Sequence, residues 1–336
     1  MSRTAIISEV DYEAQGLQRG FLRLFHSVHR SAYGYIPIPI VVIQNGTGPT
    51  ALFISGTHGD EYEGQVALCN LARALTPEAI QGRVILLPAA NLPAAVAGMR
   101  TSPLDDGNLN RLFPGDPLGG PTTQIAHYIE HELVSRADIV VDLHSGGSSL
   151  HYVPAALMMQ DDDNPGRQAK LVDALKAFAS PVAYVGHSQP GQGAGRTTEA
   201  AARRAGKLAL GTELGGSGTV TADALRVAER GVRNILAHMG ITAPETAEPG
   251  PVRILDVAGQ DYFVYAPGTG LFEPLAEPGD SVVAGQPAAR VHTPETPWAP
   301  AETVHFRHDG FVLCKRTPGR IMRGDCLFHL GTDLDW

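Results

Sequence analysis

The chain has 336 residues, enough for one large domain or for a large and a small domain. Its 43% hydrophobic and 18% charged residues are typical of a globular protein, and a net charge of -9 without any run of Lys or Arg argues against a nucleic-acid partner. The three cysteines (Cys69, Cys314 and Cys326) are widely spaced, which indicates a reducing compartment rather than a disulfide framework.

The N-terminal residues MSRTAIISEVDYE contain early acids and no apolar segment of the kind that signal peptides have. The longest apolar runs, such as the one at 36–43, are too short to span a bilayer. We therefore expect a cytoplasmic protein with a small-molecule partner and no membrane partner. The sequence leaves the oligomeric state open, a homo-oligomer included.

Short apolar runs and stretches with helical spacing alternate along the first three quarters of the chain. We predict strands at 51–55, 83–88, 139–143, 183–185 and 208–212, and helices over 61–75, 122–137 and 221–238. This alternation indicates an α/β fold with a mixed, mostly parallel sheet flanked by helices. A loop rich in Pro, Gly and Asn spans 89–121, and loops of that length are usually functional.

The sequence pattern changes near residue 245. The segment TAEPGPV is typical of a linker, and beyond it short β-like runs are separated by turn signals without helical periodicity. We therefore predict a large α/β domain at 1–244 and a small C-terminal all-β domain at 245–336.

Two histidines follow predicted core strands. His58 lies in the segment GTHGDE after the strand at 51–55, and Glu61 is three residues further on. His144 follows the strand at 139–143 and precedes two glycines. The carboxyl ends of parallel strands line the ligand crevice of α/β proteins, and imidazole and carboxylate are good zinc ligands. The pattern predicts a site for one Zn²⁺ ion per chain.

Glu213 lies at the end of the predicted strand at 208–212, in the segment TELGG. A zinc hydrolase needs a general base near the attacking water, and we predict that Glu213 is that base. Asp142 alternates with His144 along its strand. It either supports that histidine as a ligand or caps neighbouring backbone groups, and the sequence favours neither interpretation.

The long loop carries Asn110 and Arg111, adjacent polar residues between apolar neighbours, with Arg100 upstream. An arginine fork binds a carboxylate with two hydrogen bonds, and an asparagine adds a directional donor. We expect these groups to hold an acidic group of the substrate or to polarise its scissile carbonyl.

The segments GTHGDEYEG, NLNRLFPG, VDLHSGG and TELGG, in this order, resemble the succinylglutamate desuccinylase/aspartoacylase family, which is similar in fold to the zinc carboxypeptidases. The resemblance covers about 52–238. It implies hydrolysis of an amide by a water molecule that zinc activates.

The roles that the resemblance implies fall on particular residues of this chain. His58, Glu61 and His144 correspond to the metal ligands and Glu213 to the general base. Asn110 and Arg111 correspond to the pair that binds the substrate carboxylate, and Arg100 to the arginine that polarises the carbonyl. The family also has a substrate-binding arginine before the catalytic glutamate, for which the candidates are Arg196, Arg203 and Arg204.

Within the family, the segments GDEYEG, DLHSGGSSLHYVP and GTELGGSG resemble most closely the deacetylases of ectoine degradation. This resemblance implies deacetylation of N2-acetyl-L-2,4-diaminobutanoate. The alternatives are a deacylase for succinylglutamate or acetylaspartate, and a zinc carboxypeptidase. A serine hydrolase is disfavoured because Ser145 has no G-x-S-x-G motif around it. A non-catalytic binding module is disfavoured because every predicted catalytic position is filled.

Overall fold

A mixed β-sheet forms the centre of the protein in the computed structural model, which describes residues 4–187, 195–244 and 252–336. Its strands up to the predicted domain boundary are β1 (Ile6–Ser8), β2 (Gly16–Phe25), β3 (Tyr35–Asn45), β4 (Thr50–Ser55), β5 (Gly82–Leu87), β6 (Ile139–Leu143), β7 (Leu150–Tyr152), β8 (Ala155–Met159), β9 (Val182–Gly186) and β10 (Leu208–Glu213). The helices are α1 (Tyr62–Ala74), α2 (Leu92–Ala97), α3 (Pro121–Tyr128), α4 (Pro165–Phe178), α5 (Thr198–Arg204) and α6 (Ala222–His238).

The part of the chain after residue 251 is almost entirely β-structure in the described residues. Its strands are β11 (Arg253–Val257), β12 (Phe263–Tyr265), β13 (Gly270–Pro274), β14 (Ser281–Val282), β15 (Pro287–His292), β16 (Glu302–His305), β17 (Gly310–Arg316), β18 (Arg320–Ile321) and β19 (Cys326–Asp333). Strands β16, β15, β13 and β18 form a separate sheet in that order.

The main sheet has the order β1-β2-β3-β5-β4-β6-β10-β8-β9-β11-β19-β17-β14. Strands β5, β4, β6 and β10 run parallel at its centre, and β8 lies antiparallel beside β10. The predicted fold class, a mixed and mostly parallel sheet flanked by helices, is confirmed for this central part.

Helices cover both faces of the central strands. Phe53 of β4 packs in one buried cluster with α1, α4 and α6, whereas the adjacent Leu52 and Ile54 pack in another with α3 and α5. A strand that is buried on both faces appears in sequence as a continuous apolar run, and β4 is entirely buried. This explains why apolar runs predict the central strands well.

The structure differs from the predicted elements in four places, the first being strands β1, β2, β3, β7 and β8, which the sequence pattern did not predict. The helix predicted over 122–137 is an α-helix only as far as Tyr128, and it continues as a π turn (Ile129–Leu133) and a 3₁₀ turn (Val134–Arg136). The loop predicted at 89–121 contains helix α2 and a 3₁₀ turn at Leu109–Arg111. Helices α4 and α5 are absent from the predicted elements.

The predicted domain boundary lies beside an unbroken part of the sheet. Strand β11 pairs in parallel with β9, and β19 continues the sheet beyond β11. The predicted linker at 246–252 lies outside the described residues except for Val252. No helix in the described ranges is long and apolar enough to cross a bilayer.

Candidate active site

Three adjacent parallel strands bring the predicted catalytic residues to one edge of the sheet. Residues 51–55 of β4 pair in register with 139–143 of β6, and 208–211 of β10 pair with 139–142 of β6. His144 therefore follows β6 between the turn after β4 and the end of β10. Parallel strands end at the same edge, so the side chains beyond their carboxyl ends meet in one crevice.

The turn after β4 positions His58 and Glu61. Gly56 has a positive φ of 63°, and a Cβ atom there would lie 2.9 Å from the Cα of Ala89. Only glycine fits such a turn without strain. Glu61 then forms the N-cap of α1, so its side chain points back towards the strand ends.

His58, Glu61 and His144 converge on one point. The Glu61 carboxylate lies 2.7 Å (Oε1) from Nδ1 of His58 and 2.8 Å (Oε2) from Nδ1 of His144. All three residues are buried, and their donor atoms lie within 4.8 Å of one another. Among the described residues this group is able to hold a metal ion, and two imidazoles with one carboxylate suit a divalent cation.

The outward nitrogens of the two histidines have protein partners. Nε2 of His58 lies 3.1 Å from Oδ1 of Asn108, and Nε2 of His144 lies 3.0 Å from Oδ2 of Asp142. Asp142 is fixed in turn by the hydroxyls of Thr57 and Thr198, which donate to it. These contacts leave Nδ1 of each histidine to face Glu61 and the metal position, and they favour the ligand-supporting interpretation of Asp142.

The charges of the cluster are strongly coupled. Burial favours the neutral form of Glu61, but His58 and His144 together outweigh burial and lower the pKa of that carboxyl. Burial also opposes protonation of His144, yet Asp142 and Glu61 outweigh it and raise the pKa of the imidazole well above its usual value. Burial lowers the pKa of His58, whereas the Glu61 carboxyl stays ionised between the two rings and supplies the negative charge that a cation site needs.

Glu213 is the last residue of β10 and lines the same cavity. Its carboxyl makes no hydrogen bond within the described residues, and Oε2 is buried without a partner. Burial raises the pKa of Glu213 well above its usual value, and the nearby Glu61 carboxylate adds to this effect. Gly216 follows at a φ of 129°, where a Cβ atom would lie 2.2 Å from the carbonyl oxygen of Leu150.

Arg100, Asn110 and Arg111 also line the cavity. Nη1 of Arg100 lies 3.2 Å from Oε1 of Glu61, and nearly half of the arginine side chain is exposed. Nδ2 of Asn110 lies 3.3 Å from Nε2 of His144, and its Oδ1 accepts a hydrogen bond of 2.9 Å from the backbone N–H of Thr198. Nη1 of Arg111 donates to the carbonyl oxygen of Asn110 at 2.7 Å.

The arginines proposed before the catalytic glutamate lie at different places. Arg203 lines the cavity mouth and forms ion pairs with Asp161 and Asp163. Arg204 also lines the mouth and pairs with Glu130 at 2.7 Å. Arg196 is exposed and is not among the cavity-lining residues that the structure describes.

The cavity has a volume of about 1040 Å³ and extends beyond the residues that the sequence singled out. Asn108 and Thr198 support the cluster, and Glu199 lines the cavity. Asn108 is the first residue of the recognised segment NLNRLFPG, so its position was a usable signal. Phe263 and His329 come from the C-terminal β-region, where the sequence pattern offers no chemical motif.

His329 is packed into an aromatic wall of the cavity. Its ring stacks on Phe263 at a centroid distance of 4.3 Å and meets Tyr184 edge-on at 5.6 Å. The Tyr152 hydroxyl lies 3.4 Å from Nδ1 of His329. Burial lowers the pKa of His329 to about 3, so this imidazole is neutral at physiological pH. The C-terminal region therefore contributes apolar and aromatic surface to the site.

Fold and site together are those of a hydrolase with a candidate metal site at the carboxyl edge of the sheet. The family model for the succinylglutamate desuccinylase/aspartoacylase catalytic domain matches residues 47–239. The chain belongs to the succinylglutamate desuccinylase/aspartoacylase family, as the sequence motifs predicted.

Individual relatives match along nearly the whole chain. The chain is 42% identical over 324 residues to the N-alpha-acetyl-L-2,4-diaminobutyric acid deacetylase of Halomonas elongata, a match that covers 96% of this chain and 93% of the relative. Among solved structures, it is similar to the product-bound ectoine utilization protein EutE (DoeB) of Ruegeria pomeroyi, with 40% identity, a TM-score of 0.94 and coverage of 99% and 100% of the two chains.

A second solved structure is also closely similar. This is a succinylglutamate desuccinylase/aspartoacylase from Rhodobacter sphaeroides, with 39% identity, a TM-score of 0.92 and coverage of 98% of this chain and 100% of that chain. Both structures include the C-terminal β-region within the matched length, so the whole architecture is shared with these relatives.

Proposed function

We propose that this protein is a zinc-dependent deacylase of N-acyl amino acids, with N2-acetyl-L-2,4-diaminobutanoate as its substrate. The single observation that carries the proposal is the convergence of His58, Glu61 and His144 beside the unpartnered Glu213 carboxyl in one cavity. The choice of substrate is supported by the 42% identity to a deacetylase named for that compound.

The donor set fits zinc. Two imidazole nitrogens and one carboxylate are a common protein ligand set for catalytic zinc, and the partners of the outward nitrogens fix the orientation of both rings. When bound at such a site, zinc acts as a Lewis acid and makes water a stronger acid and a better nucleophile at neutral pH.

The residues around this position have separate roles in the proposed reaction. Glu213 accepts a proton from the attacking water and returns it to the amine that leaves, which is the ordinary task of a general base and acid. Its raised pKa suits both halves of that task, because a proton is readily held and then released.

Arg100 and Arg111 supply positive charge on the substrate side of the cavity. We propose that Arg100 polarises the scissile carbonyl and that Arg111, fixed to the Asn110 carbonyl oxygen, binds the α-carboxylate. Asn110 already contacts His144 and Thr198. We therefore propose that Asn110 both positions these residues and contacts the substrate carboxylate. Of the upstream arginines, Arg203 and Arg204 remain the candidates for a substrate contact, because both lie at the cavity mouth.

The proposal predicts a defined response to metal removal. Purified protein should release acetate from N2-acetyl-L-2,4-diaminobutanoate, lose this activity on dialysis against a chelator, and recover it on addition of zinc. The measurements are acetate release and metal content of the same sample, with acetylaspartate, succinylglutamate and acylated peptides assayed in parallel. Full activity in metal-free protein would remove the zinc mechanism, and a preference for acylated peptides would favour a carboxypeptidase.

A further inference from the structure

The cavity contains a carboxylate that the catalytic cluster does not use. Glu199 lines the cavity from the first turn of α5, and its side chain forms no hydrogen bond or ion pair in the part of the chain that the structure describes. A carboxylate without a protein partner in a ligand cavity is available to a ligand that carries positive charge.

The start of α5 is firmly attached to the catalytic cluster. Thr198 donates its hydroxyl hydrogen to Asp142 at 2.7 Å, and its backbone N–H donates to Asn110 at 2.9 Å. Thr197 caps the helix by accepting a hydrogen bond from the backbone N–H of Ala200. Glu199 therefore has a fixed position relative to the proposed metal ligands.

Strand β10 leaves space for the Glu199 carboxylate. A Cβ atom on Gly211 would lie 2.9 Å from Oε1 of Glu199, so a larger residue at that position would crowd this oxygen. Gly211 and Glu213 are two residues apart on one strand and share a face, and the rise of an extended strand separates them by roughly 7 Å. The Glu199 carboxylate therefore lies beside the same face of β10 that carries the proposed general base.

The other acidic groups at the cavity are already engaged. Asp161 is buried and pairs with Arg167 and Arg203, and the largely exposed Asp163 also pairs with Arg203. Glu61 is held between the two histidines. Among the described acidic residues of the cavity, Glu199 and the proposed base Glu213 are those whose carboxylates have neither a hydrogen bond nor an ion pair with the protein.

The surroundings of Glu199 also suit an ammonium group. The Tyr184 ring also lines the cavity. Burial raises the pKa of its hydroxyl, and the nearby Glu213 and Glu199 carboxylates add to this effect. An aromatic face attracts a cation within about 6 Å. The Glu199 charge acts on Arg111, but the two side chains form no ion pair in the described structure. The cavity therefore has a positive group and a negative group at separate positions.

We infer that Glu199 binds the side-chain ammonium of the substrate and selects a diamino acid over acylated amino acids with neutral side chains. The inference rests on the proposed function. It assigns one charged group of the cavity to each charge of N2-acetyl-L-2,4-diaminobutanoate, with Arg111 at the α-carboxylate and Glu199 at the γ-ammonium.

The test compares Glu199→Gln with the wild-type enzyme on two substrates. N2-acetyl-L-2,4-diaminobutanoate carries the ammonium, and N-acetyl-L-norvaline has a methyl group in its place. We expect kcat/KM for the cationic substrate to fall by at least about tenfold, the smallest loss expected for a hydrogen bond to a charged group. Turnover of the neutral analogue, or its inhibition constant as a competitor, should change by less than about twofold.

The matched control is Asp162→Asn, which removes the same charge from an exposed residue between the cavity-lining Asp161 and Asp163. It should change both substrates by less than about twofold, because an exposed charge is screened by solvent. The inference alone would be overturned if Glu199→Gln lowered kcat/KM equally for both substrates. It would also be overturned if both variants lowered kcat/KM for the cationic substrate by the same factor. A wild-type enzyme that hydrolyses no acetylated amino acid would overturn the proposed function, and the inference with it.

Discussion

Glu213 combines three properties that are costly for an ordinary structural glutamate. Its Oε2 atom is buried, this atom has no partner in the described structure, and the pKa of the carboxyl is raised by desolvation and by the neighbouring Glu61. A buried carboxyl without hydrogen bonds destabilises the folded state, so its presence in the cavity indicates a role in chemistry.

Replacing this residue should separate catalysis from metal binding. We expect Glu213→Gln to lower kcat by at least about 100-fold, because positioned general bases contribute rate factors of that order or more. The metal content should stay at one ion per chain, because Glu213 is not among the three converging ligands. Steady-state kinetics and metal analysis of the same preparation check both statements.

The contrast variant is His144→Ala, which removes a proposed ligand and should lose metal together with activity. Near-wild-type turnover in Glu213→Gln would place the general base elsewhere. Loss of metal in Glu213→Gln would instead make this residue part of the metal site.

Residues at strand ends and in the long loop were predictable from sequence, whereas residues that reach the cavity from other elements were not. His58, His144 and Glu213 each follow an apolar run, and parallel pairing of those runs brings them together. Glu199 and His329 reach the cavity from elements whose position depends on tertiary packing. No local sequence signal records such packing, so these two residues became visible only in three dimensions.

At the scale of elements, helices α4 and α6 pack closely through one glycine. A Cβ atom on Gly231 of α6 would lie 2.2 Å from Cζ of Phe178, a fully buried residue at the end of α4. Phe178 belongs to the cluster that also contains Phe53 of β4 and Leu210 of β10. This contact therefore seats both helices against the strands that carry the site.

Gly231→Ala should destabilise the protein although alanine is the better helix former. The gain in helix propensity is about 1 kcal/mol, whereas forcing an extra methyl group into a packed core costs typically about 1 to 3 kcal/mol. Because a Cβ at 2.2 Å requires the Phe178 ring to move, we expect the second effect to prevail. The measurement is the free energy of unfolding from denaturant titration.

Gly166→Ala is the matched control, since Gly166 lies in the first turn of α4. There the nearest atom to an added Cβ is Oδ1 of Asn164 at 3.6 Å, an ordinary contact. This variant should be neutral or more stable by up to about 1 kcal/mol. If both variants are stabilised, the contact between Phe178 and Gly231 does not limit the packing of α6.

Helices α6 and α5 show which helices the sequence pattern predicts and which it does not. Helix α6 has a strong apolar stripe and begins at a Thr cap, and its prediction over 221–238 is confirmed within one residue at its start. Helix α5 is only seven residues long, too short for a periodic pattern to emerge. Hydrogen bonds from Thr198 to the side chains of Asn110 and Asp142 hold its first turn against the catalytic cluster.

At the scale of the whole molecule, the main sheet continues across the predicted domain boundary. Strand β11 pairs over five residues with β9, and β17 pairs with β7. One buried cluster joins Tyr184 and Val182 from before the boundary to Leu255 and Leu313 from after it. The β-rich character of the C-terminal region was predictable from its turn signals, whereas pairing between strands distant in sequence was not.

This continuity leads to a prediction for a chain that ends at Pro244. Such a chain would leave the long edge of β9 unpaired and would expose apolar residues that β11 and β17 now cover. We expect it to lose cooperative thermal unfolding and to aggregate, as measured by circular dichroism and size-exclusion chromatography. The control replaces the mostly exposed 293–300 loop between β15 and β16 with an Asn-Gly turn, which leaves β11 in place and should unfold like the full chain. If the 1–244 chain instead unfolds cooperatively near the full-length midpoint, the two regions are independent domains, and the shared sheet reflects docking rather than a common folding unit.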